Sequence, residues 1–354
     1  MDINTIRIFS FGGGGTKGYG SNRFIQKFIQ QWGIAQADFW KYADVMCGTS
    51  IGAILASAYS FGKTANEMES FFTNYAKRIF TIRTALEVAS NNHNASEASN
   101  RPNLIQKLSM IGSNDPFYKS AYSDSNYGHN ILQQVLVDNF GTNTLADLKT
   151  PIVIPAYEED TKKYVVFSNF NDPDYFIGNT ETIVNVCRAS SAAPIYLPTA
   201  NFNGHYYSDG GQFANDPILA AINVGLSVKP KATRIVIVDV GTGIGNMSFD
   251  GSGTEEGISH AVVRLFGIMN VAMTGTEEWS RYYLDYLSNR TTNLTNKATL
   301  DINYYKFQPK FPDGFPNELD NSTSVWFNDL ANLVDTHYSN ESNKISSIIT
   351  RLVA

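Results

Sequence analysis

The sequence predicts an α/β fold in which helices cover both faces of a largely parallel β-sheet. Between residues 5 and 245, predicted strands alternate with predicted helices, which is the pattern of a parallel sheet with crossover helices. The predicted strand Arg234–Val240 is almost entirely apolar, as expected for a strand that is buried on both faces. No linker rich in Pro, Gly or Ser divides the 354 residues, so we predict a single domain over residues 1–354.

Glycines separate the first two predicted strand–helix units. Residues 6–11 form a short apolar run that predicts a strand, and a helical pattern follows Gly18 and ends at Gly33. Residues 43–47 predict a second buried strand, which precedes a helix of small residues at 53–61. The later predictions are helices at 66–80, 131–140, 182–192 and 217–224, and strands at 151–157, 164–168, 205–208 and 234–240.

Two regions depart from this alternation. Residues 87–126 are rich in Asn and Ser and only weakly periodic. Because loops of this length are usually functional, we predict an insertion that acts as a lid or contacts a membrane. The alternative is that the helical pattern around residues 104–111 simply packs on the core. The C-terminal part, about residues 255–354, is predicted to be mostly helical, with helices over 255–287 and 325–352.

Composition and charge exclude several classes of protein. The net charge of −6 and a pI of about 5.4 make binding to a nucleic-acid backbone improbable, so we expect no nucleic-acid partner. The sequence shows neither a signal peptide nor an apolar run long enough to span a bilayer, which favours a cytoplasmic protein. The two cysteines and five histidines show no metal-ligand spacing.

The sequence Gly48-Thr-Ser50-Ile-Gly52 lies between a predicted strand and a predicted helix. This context is typical of a nucleophile elbow, in which a sharp turn exposes the serine hydroxyl above the edge of the sheet. The flanking glycines allow the chain to fold back on itself. The alternative is that Ser50 is an ordinary N-cap of the following helix.

The glycine run at residues 12–18 permits three interpretations. A Walker A loop requires Ser or Thr after Gly-Lys, but Lys17 is followed by glycine. The dinucleotide pattern Gly-X-Gly-X-X-Gly fits from Gly13, yet Asp38, at the expected distance, precedes the second strand. The third interpretation is an oxyanion hole built from exposed backbone N–H groups, since the predicted elbow follows in the next unit. A second glycine loop, at 241–245, is interpreted as structural.

Candidate partners for the serine are one aspartate and two histidines. Asp209 follows a predicted strand and is followed by Gly210 and Gly211, which is either a catalytic turn or an ordinary Asp-Gly turn. A Ser–Asp–His triad would place its histidine later in the chain, at His260 or His337. Both histidines lie in predicted helices rather than in loops at a sheet edge.

Together these motifs resemble the patatin-like phospholipase family. Residues 13–18 are similar to the family's glycine loop, and residues 48–52 are similar to its nucleophile elbow. Residues 189–194, Ala-Ser-Ser-Ala-Ala-Pro, resemble a further block, and residues 209–211 resemble the family's Asp-Gly motif. The four motifs occur in the family's order, and the resemblance extends over roughly residues 5–245.

The resemblance implies a patatin-like three-layer fold and a Ser–Asp dyad. Ser50 would attack an ester carbonyl, Asp209 would accept its proton, and the N–H groups of Gly13, Gly14 and Gly15 would hold the oxyanion. Glycerolipid esters would be the substrates, and no cofactor or metal would be needed. The residues expected to support the motifs are Lys17, Gly18, Gly48, Gly52, Gly210 and Gly211.

The same resemblance leaves the biological role open. Some members of the family are delivered as bacterial toxins, whereas others are defence effectors activated by a cyclic nucleotide. The expected partners are therefore a membrane phospholipid and an activating ligand or protein, with action at membrane surfaces. The alternatives are a regulated effector or a lipid-sensing protein of the same fold with little constitutive activity, and a nucleotide-binding enzyme.

Overall fold

The computed structural model describes residues 2–79, 126–194, 197–245, 272–287, 300–317 and 319–353. The predicted insertion, except for its last residue, lies outside the described residues, as does the predicted helical stretch over 255–271. Its role as a lid or membrane contact stays a prediction. The assignment of one domain to the whole chain also stays a prediction.

The described part of the chain forms one eight-stranded sheet in the order β5-β6-β3-β2-β1-β7-β8, with β4 also paired to β3. Neighbours along β3-β2-β1-β7-β8 are parallel, whereas β4, β5 and β6 pair antiparallel. The predicted, largely parallel sheet is therefore confirmed. The strands are β1 Thr5–Phe11, β2 Val45–Gly48, β3 Ile152–Glu158, β4 Lys163–Phe167, β5 Ala200–Phe202, β6 His205–Asp209, β7 Arg234–Val240 and β8 Asp301–Phe307.

Helices pack on both faces of this sheet. In β1, Ile6 and Ile8 belong to one apolar cluster, and Phe9 and Phe11 belong to the other, because successive side chains of a strand point to opposite faces. The helices are α1 Gly18–Trp32, α2 Ile51–Phe61, α3 Ala65–Ile79, α4 Asn126–Phe140, α5 Ile183–Ser190, α6 Ile218–Val228, α7 at residues 272–287, α8 Ser324–Asn340 and α9 Ser342–Val353.

The ends of several elements follow from local chemistry. Helix α1 ends at Gly33, as predicted, because that residue adopts a left-handed conformation with a φ of 75°. Helix α5 begins after Thr182, whose hydroxyl oxygen accepts a hydrogen bond from the N–H of Asn185. The adjacent parallel strands β1 and β2 end at the same edge of the sheet. The glycine loop and the predicted elbow therefore meet there.

The described C-terminal residues form α7, α8 and α9, and also a strand that the sequence analysis did not predict, at residues 301–307, between the two predicted helical stretches. This segment forms β8, which pairs in parallel with β7 along its whole length. Its polar residues Asn303 and Lys306 interrupt the apolar pattern that identifies a buried strand, although both are buried. The short strand β5 also went unpredicted, since three residues are too few to show a period.

Candidate active site

Ser50 lies at the turn between β2 and α2 in a strained backbone conformation, with φ of 58° and ψ of −124°. Few residues other than glycine adopt a positive φ, and such strain is concentrated at functional sites. A Cβ atom on Gly52 would clash with the carbonyl oxygen of Phe11, and one on Gly48 would clash with the backbone of Gly52. The Ser50 side chain makes no capping hydrogen bond, so the turn is an elbow rather than an ordinary N-cap.

The structure brings Asp209 against this serine. Asp209 is the last residue of β6, and its carboxylate accepts a hydrogen bond from the Ser50 hydroxyl. A second hydrogen bond comes from the N–H of Gly211, at 2.7 Å from Oδ1. Both side chains of the predicted dyad are buried, and the two residues are 159 positions apart in the sequence (209 minus 50).

Burial dominates the electrostatics of the aspartate. It raises the pKa of Asp209 to about 7, whereas the hydrogen bonds from Gly211 and Ser50 lower it. A carboxyl group with an ordinary pKa is a poor base, but one that titrates near neutrality is well matched to accepting a proton at neutral pH. The arrangement can therefore perform general base catalysis on the Ser50 hydroxyl.

The glycine loop lies directly beside the elbow. A Cβ on Gly13 would lie 3.3 Å from the Cβ of Ser50, and Gly14 and Gly15 line the same pocket as Ser50. Gly15 has a φ of 59°, and a side chain there would clash with the carbonyl oxygen of Leu319. The N–H groups of the three glycines donate no hydrogen bond to another described residue. They can therefore serve an oxyanion.

The supporting residues of the motifs differ in their roles. Lys17 is buried outside the described pocket lining, and its Nζ donates to Oδ1 of Asn317 at 3.1 Å. Burial lowers the pKa of Lys17 to about 8, although Glu277 raises it. A Cβ on Gly18 would press on Ile51, so this glycine allows α1 to pack closely against the start of α2. The Lys17 contact does not favour a nucleotide-binding loop, in which the lysine must face the phosphates.

The remaining glycines hold the aspartate turn. A Cβ on Gly210 would clash with the carbonyl oxygen of Pro155, and one on Gly211 would lie 3.1 Å from Oδ1 of Asp209. The Ala-Ser-Ser block also contributes, because the Ser190 hydroxyl oxygen accepts a hydrogen bond from the backbone N–H of Ser50 at 3.0 Å. This role of Ser190 was not predicted, since only the folded chain brings it to the elbow.

A largely apolar pocket opens above the dyad. Its described lining contains no Lys, Arg or His. The sequence analysis missed this pocket because helical periodicity marks its residues only as core positions. The apolar side chains of its lining include Ile54, Phe71, Phe72, Leu132, Leu197 and Met273.

The histidines with described side chains lie outside this pocket lining. Nδ1 of His205 lies 2.8 Å from Glu158 and 2.7 Å from Asp160, and His337 lies 3.7 Å from Glu341. Among the described residues, Glu158, Asp160 and His205 form the one cluster of side chains that could bind a metal ion. The histidine nitrogen in this cluster already contacts both carboxylates. His260 lies outside the described residues, so its place in a triad is untested.

Comparison with known proteins identifies the family. The family model described as patatin-like phospholipase matches residues 9–222, more than half of the 354 residues. The chain belongs to the patatin-like phospholipase family. The family resemblance predicted from the four motifs, and with it the serine hydrolase class, is confirmed.

Two relatives and one solved structure illustrate the range of similar proteins. A cGAMP-activated phospholipase of Pseudomonas aeruginosa is 26% identical over 302 residues, covering 84% of this chain and 80% of that protein. A calcium-independent phospholipase A2-gamma of Mus musculus is 25% identical, covering 67% of this chain and 28% of that protein. The structure of human GIVD cytosolic phospholipase A2 aligns with a TM-score of 0.43 and 10% identity, covering 99% of this chain and 60% of that chain. Within the described part of this patatin-like chain, none of the helices is both long and apolar enough to cross a membrane.

Proposed function

We propose that this patatin-like protein hydrolyses carboxylic esters of glycerolipids through an acyl-enzyme on Ser50, with Asp209 as the base. One observation carries the proposal. A serine in a strained elbow contacts a buried aspartate with a pKa of about 7, at the base of an apolar pocket. A strained nucleophile beside a perturbed acid is a combination that structural roles rarely require.

The acylation step follows from this geometry. The Asp209 carboxylate accepts the proton as the Ser50 oxygen attacks the ester carbonyl carbon. The negative charge on the carbonyl oxygen is stabilised by the N–H groups of Gly13, Gly14 and Gly15, together with the N-terminus of α2. Asp209 then returns the proton to the departing alcohol. In the second half-reaction it activates water, which releases the fatty acid and regenerates Ser50.

The pocket favours an acyl chain as the group that is bound. Its apolar lining suits a fatty acyl group better than a charged headgroup. No described residue of the lining offers a cation to a phosphate. We therefore expect the headgroup to lie outside the pocket, and chain length to affect turnover more than headgroup charge does.

An exposed aromatic face on α7 supports action at a membrane surface. Trp279, Tyr282, Tyr283 and Tyr286 are 64%, 62%, 46% and 46% exposed and recur at helical spacing. Met273 of the same helix lines the pocket. Trp and Tyr are enriched where membranes meet water, because their rings are apolar and their edges are polar. This face would keep the pocket next to the bilayer that supplies the substrate.

Substitutions on this face test the surface assignment. The double variant Trp279→Ala, Tyr282→Ala should hydrolyse vesicle lipid more slowly while its turnover of a soluble ester is unchanged. Tyr175→Ala removes an aromatic side chain that is 77% exposed elsewhere and serves as the matched control. Equal vesicle activity in the double variant and in the control would contradict a role for this face.

Regulation by a nucleotide ligand is the second candidate. It is favoured by the similarity over 84% of this chain to a protein named cGAMP-activated phospholipase. Under this proposal the protein acts in the cytoplasm. In purified form it has little activity alone, and a cyclic nucleotide activates it. A high activity without any added nucleotide would contradict this regulation while supporting the hydrolase itself.

One experiment tests the main proposal. Purified wild-type protein and Ser50→Ala are incubated with vesicles of a single defined phospholipid, with and without cGAMP, and released fatty acid is measured. We expect release by the wild type in at least one of the two conditions and none by the variant. Equal release by Ser50→Ala, or no release by the wild type on any lipid or soluble ester, would refute the assignment.

A further inference from the structure

Thr242, in the loop that leaves β7, contacts the glycine loop. Its buried hydroxyl donates a hydrogen bond to the carbonyl oxygen of Gly13 at 3.1 Å. Its side chain also covers the next residue, because a Cβ on Gly14 would lie 2.7 Å from the Cβ of Thr242. The sequence analysis interpreted this second glycine loop as structural, and the proposed reaction so far assigns it no part.

The contact determines the direction of one N–H group. The carbonyl of Gly13 and the N–H of Gly14 belong to the same planar trans peptide, in which the two groups point in opposite directions. With the carbonyl turned toward Thr242, the N–H of Gly14 points away from Thr242. Gly14 lines the pocket that contains Ser50, and its N–H has no described acceptor.

The loop that holds Thr242 is itself anchored on both sides. The Ser21 hydroxyl donates to the carbonyl oxygen of Gly241 at 3.1 Å, and the N–H of Gly243 donates to Oε1 of Gln308 at 3.1 Å. The glycine loop, by contrast, has no side chains with which to restrict its own peptides, and glycine backbones rotate freely. Among the described residues, the Thr242 hydroxyl is the one hydrogen-bond partner of the Gly13–Gly14 peptide.

We propose that Thr242 is a positioning residue that orients the Gly13–Gly14 peptide so that the Gly14 N–H faces the oxyanion. The inference rests on the proposed function, since it assumes that an oxyanion forms at Ser50. Without the hydroxyl, the Gly13 carbonyl loses its buried donor and the peptide is free to turn. The expected loss is therefore in transition-state stabilisation rather than in substrate binding.

The test compares Thr242→Val, which keeps the shape but removes the hydroxyl, with Thr242→Ser, which keeps the hydroxyl. On a soluble ester, Thr242→Val should lower kcat by about 10- to 100-fold, somewhat less than the loss of a whole oxyanion donor, with KM nearly unchanged. Thr242→Ser should stay close to wild type. Thr150→Val is the matched control, because the buried Thr150 hydroxyl also donates to a backbone carbonyl, that of Trp40, but contacts no residue of the site.

A second measurement separates positioning from a structural role. A trifluoromethyl ketone forms a charged tetrahedral adduct with the serine, and its affinity should fall in Thr242→Val by the same factor as kcat/KM. The affinity of a fatty acid product should not change. If Thr242→Val does not fold, Thr242→Cys replaces it, since a thiol is a weak donor of similar size, and an intermediate kcat is expected.

Three results would overturn the inference: wild-type kcat in Thr242→Val, equal losses in Thr242→Val and Thr242→Ser, or an equal loss in Thr150→Val. Failure of the proposed function looks different, because the wild type itself would then be inactive. In that case the orientation of the peptide is tested by NMR, from the chemical shift of the Gly14 amide in glycine-labelled protein. A large shift in Thr242→Val but not in Thr242→Ser supports the orientation, and no shift in either contradicts it.

Discussion

Two neighbouring regions of the chain contain buried carboxyl groups, and the two regions differ in the partners that these groups contact. Asp209 has a hydroxyl and a backbone N–H as partners, and no described cation contacts it. Asp216 and Asp239, equally buried, contact the ammonium group of Lys306 at 2.7 and 2.9 Å. Glu277 contacts the same lysine, so one cation serves three carboxyl groups.

The second region is a structural junction. Lys306 on β8 connects Asp239 on β7, Asp216 in the loop after β6 and Glu277 on α7. Burial lowers the pKa of Lys306, but the three acids raise it well above its ordinary value. Burial also raises the pKa of both aspartates, while Lys306 lowers it. All three carboxyl groups therefore contact a cation, whereas Asp209 contacts no described cation.

This difference shows that burial alone does not allow a carboxyl group to act as a general base. Both regions remove carboxyl groups from water, which disfavours their charged forms. In one region a lysine offsets part of that cost, although the pKa of both aspartates stays raised, and the contacts join three elements of the fold. In the other only weak donors compensate, so the proton of Asp209 is exchangeable near neutral pH. The position of a single ammonium group separates the structural role from the proposed catalytic one.

The largest expected effect is the removal of the dyad itself. Ser50→Ala should abolish ester hydrolysis, and Asp209→Asn should lower kcat by about 10²- to 10⁴-fold because an amide cannot accept the proton. Neither change creates a cavity in the core, so both variants should fold. Turnover of a soluble ester is measured, and circular dichroism checks the fold. Retained turnover in a purified, folded variant would contradict the assignment of that residue to the dyad.

The glycine loop, which lies between the two regions, gives the next largest effect. Gly14→Val would clash with Thr242, and Gly15→Val would force a branched side chain into a positive φ. Either should reduce kcat by about 10²-fold or more, as does the loss of an oxyanion donor. Lys17→Ala should cost less, because the lysine faces Asn317. The reverse order in one esterase assay would favour a nucleotide-binding loop.

Breaking the structural junction should reduce stability rather than remove a base. Lys306→Met leaves three buried carboxyl groups without their cation, which should lower the free energy of unfolding by about 3–5 kcal/mol. Lys344→Met is the control, because that lysine is 69% exposed and its pair with Glu341 should contribute about 1 kcal/mol or less. Denaturant titration measures both variants, and equal stability of the two would contradict the assigned role.

The unpaired aspartate should make stability depend on pH in a defined direction. The pKa of Asp209 is about 7 in the folded protein against an ordinary 3.8, so folding favours the protonated form. The stabilisation from that proton is complete below about pH 3.8 and is lost as the pH rises to about 7. Relative to wild type, Asp209→Asn should therefore gain up to about 4 kcal/mol across this interval and no more above it.

A paired carboxylate provides the control with the opposite sign. Hydrogen bonds and charges from Arg23 and Lys27 outweigh burial and lower the pKa of Asp335. The stability that Asp335 contributes is present above its ordinary pKa and is lost as the pH falls. Thermal unfolding from about pH 2 to about pH 8 compares Asp209→Asn, Asp335→Asn and wild type, because the Asp335 contribution is lost only below its ordinary pKa of 3.8. Parallel curves for the wild type and Asp209→Asn would show that Asp209 does not titrate as proposed.

The smallest expected effects are those of the histidines. If Asp209 is the base, then His205→Ala, His337→Ala and His260→Ala should each retain turnover within a few-fold of wild type. A catalytic histidine would instead cost several orders of magnitude, on the order of 10⁶ in kcat for a serine protease. Collapse of turnover in any one folded variant would favour a triad and return Asp209 to a structural role.

The parallel sheet, the elbow and the glycine loop were predictable from the amino-acid sequence. Each depends on requirements that are local in the chain: apolar strands buried on both faces, and glycines where a turn or a close approach excludes a side chain. Gly48, Ser50 and Gly52 were therefore identifiable from their spacing. The family resemblance added the pairing of Ser50 with Asp209, which spacing cannot provide.

The pKa of Asp209, the pocket and the contacts of Thr242 and Lys306 depend on the tertiary structure and could not be predicted from the sequence. The pKa of Asp209 depends on how completely distant segments exclude water from it. The shape of the pocket depends on which helix faces meet above the dyad. Thr242 reaches Gly13 across 229 residues, and Lys306 reaches Asp216 across 90. Strand β8 was missed for the same reason. Its polar residues are buried because side chains from other elements surround them, and these distant partners cannot be identified from the local sequence pattern.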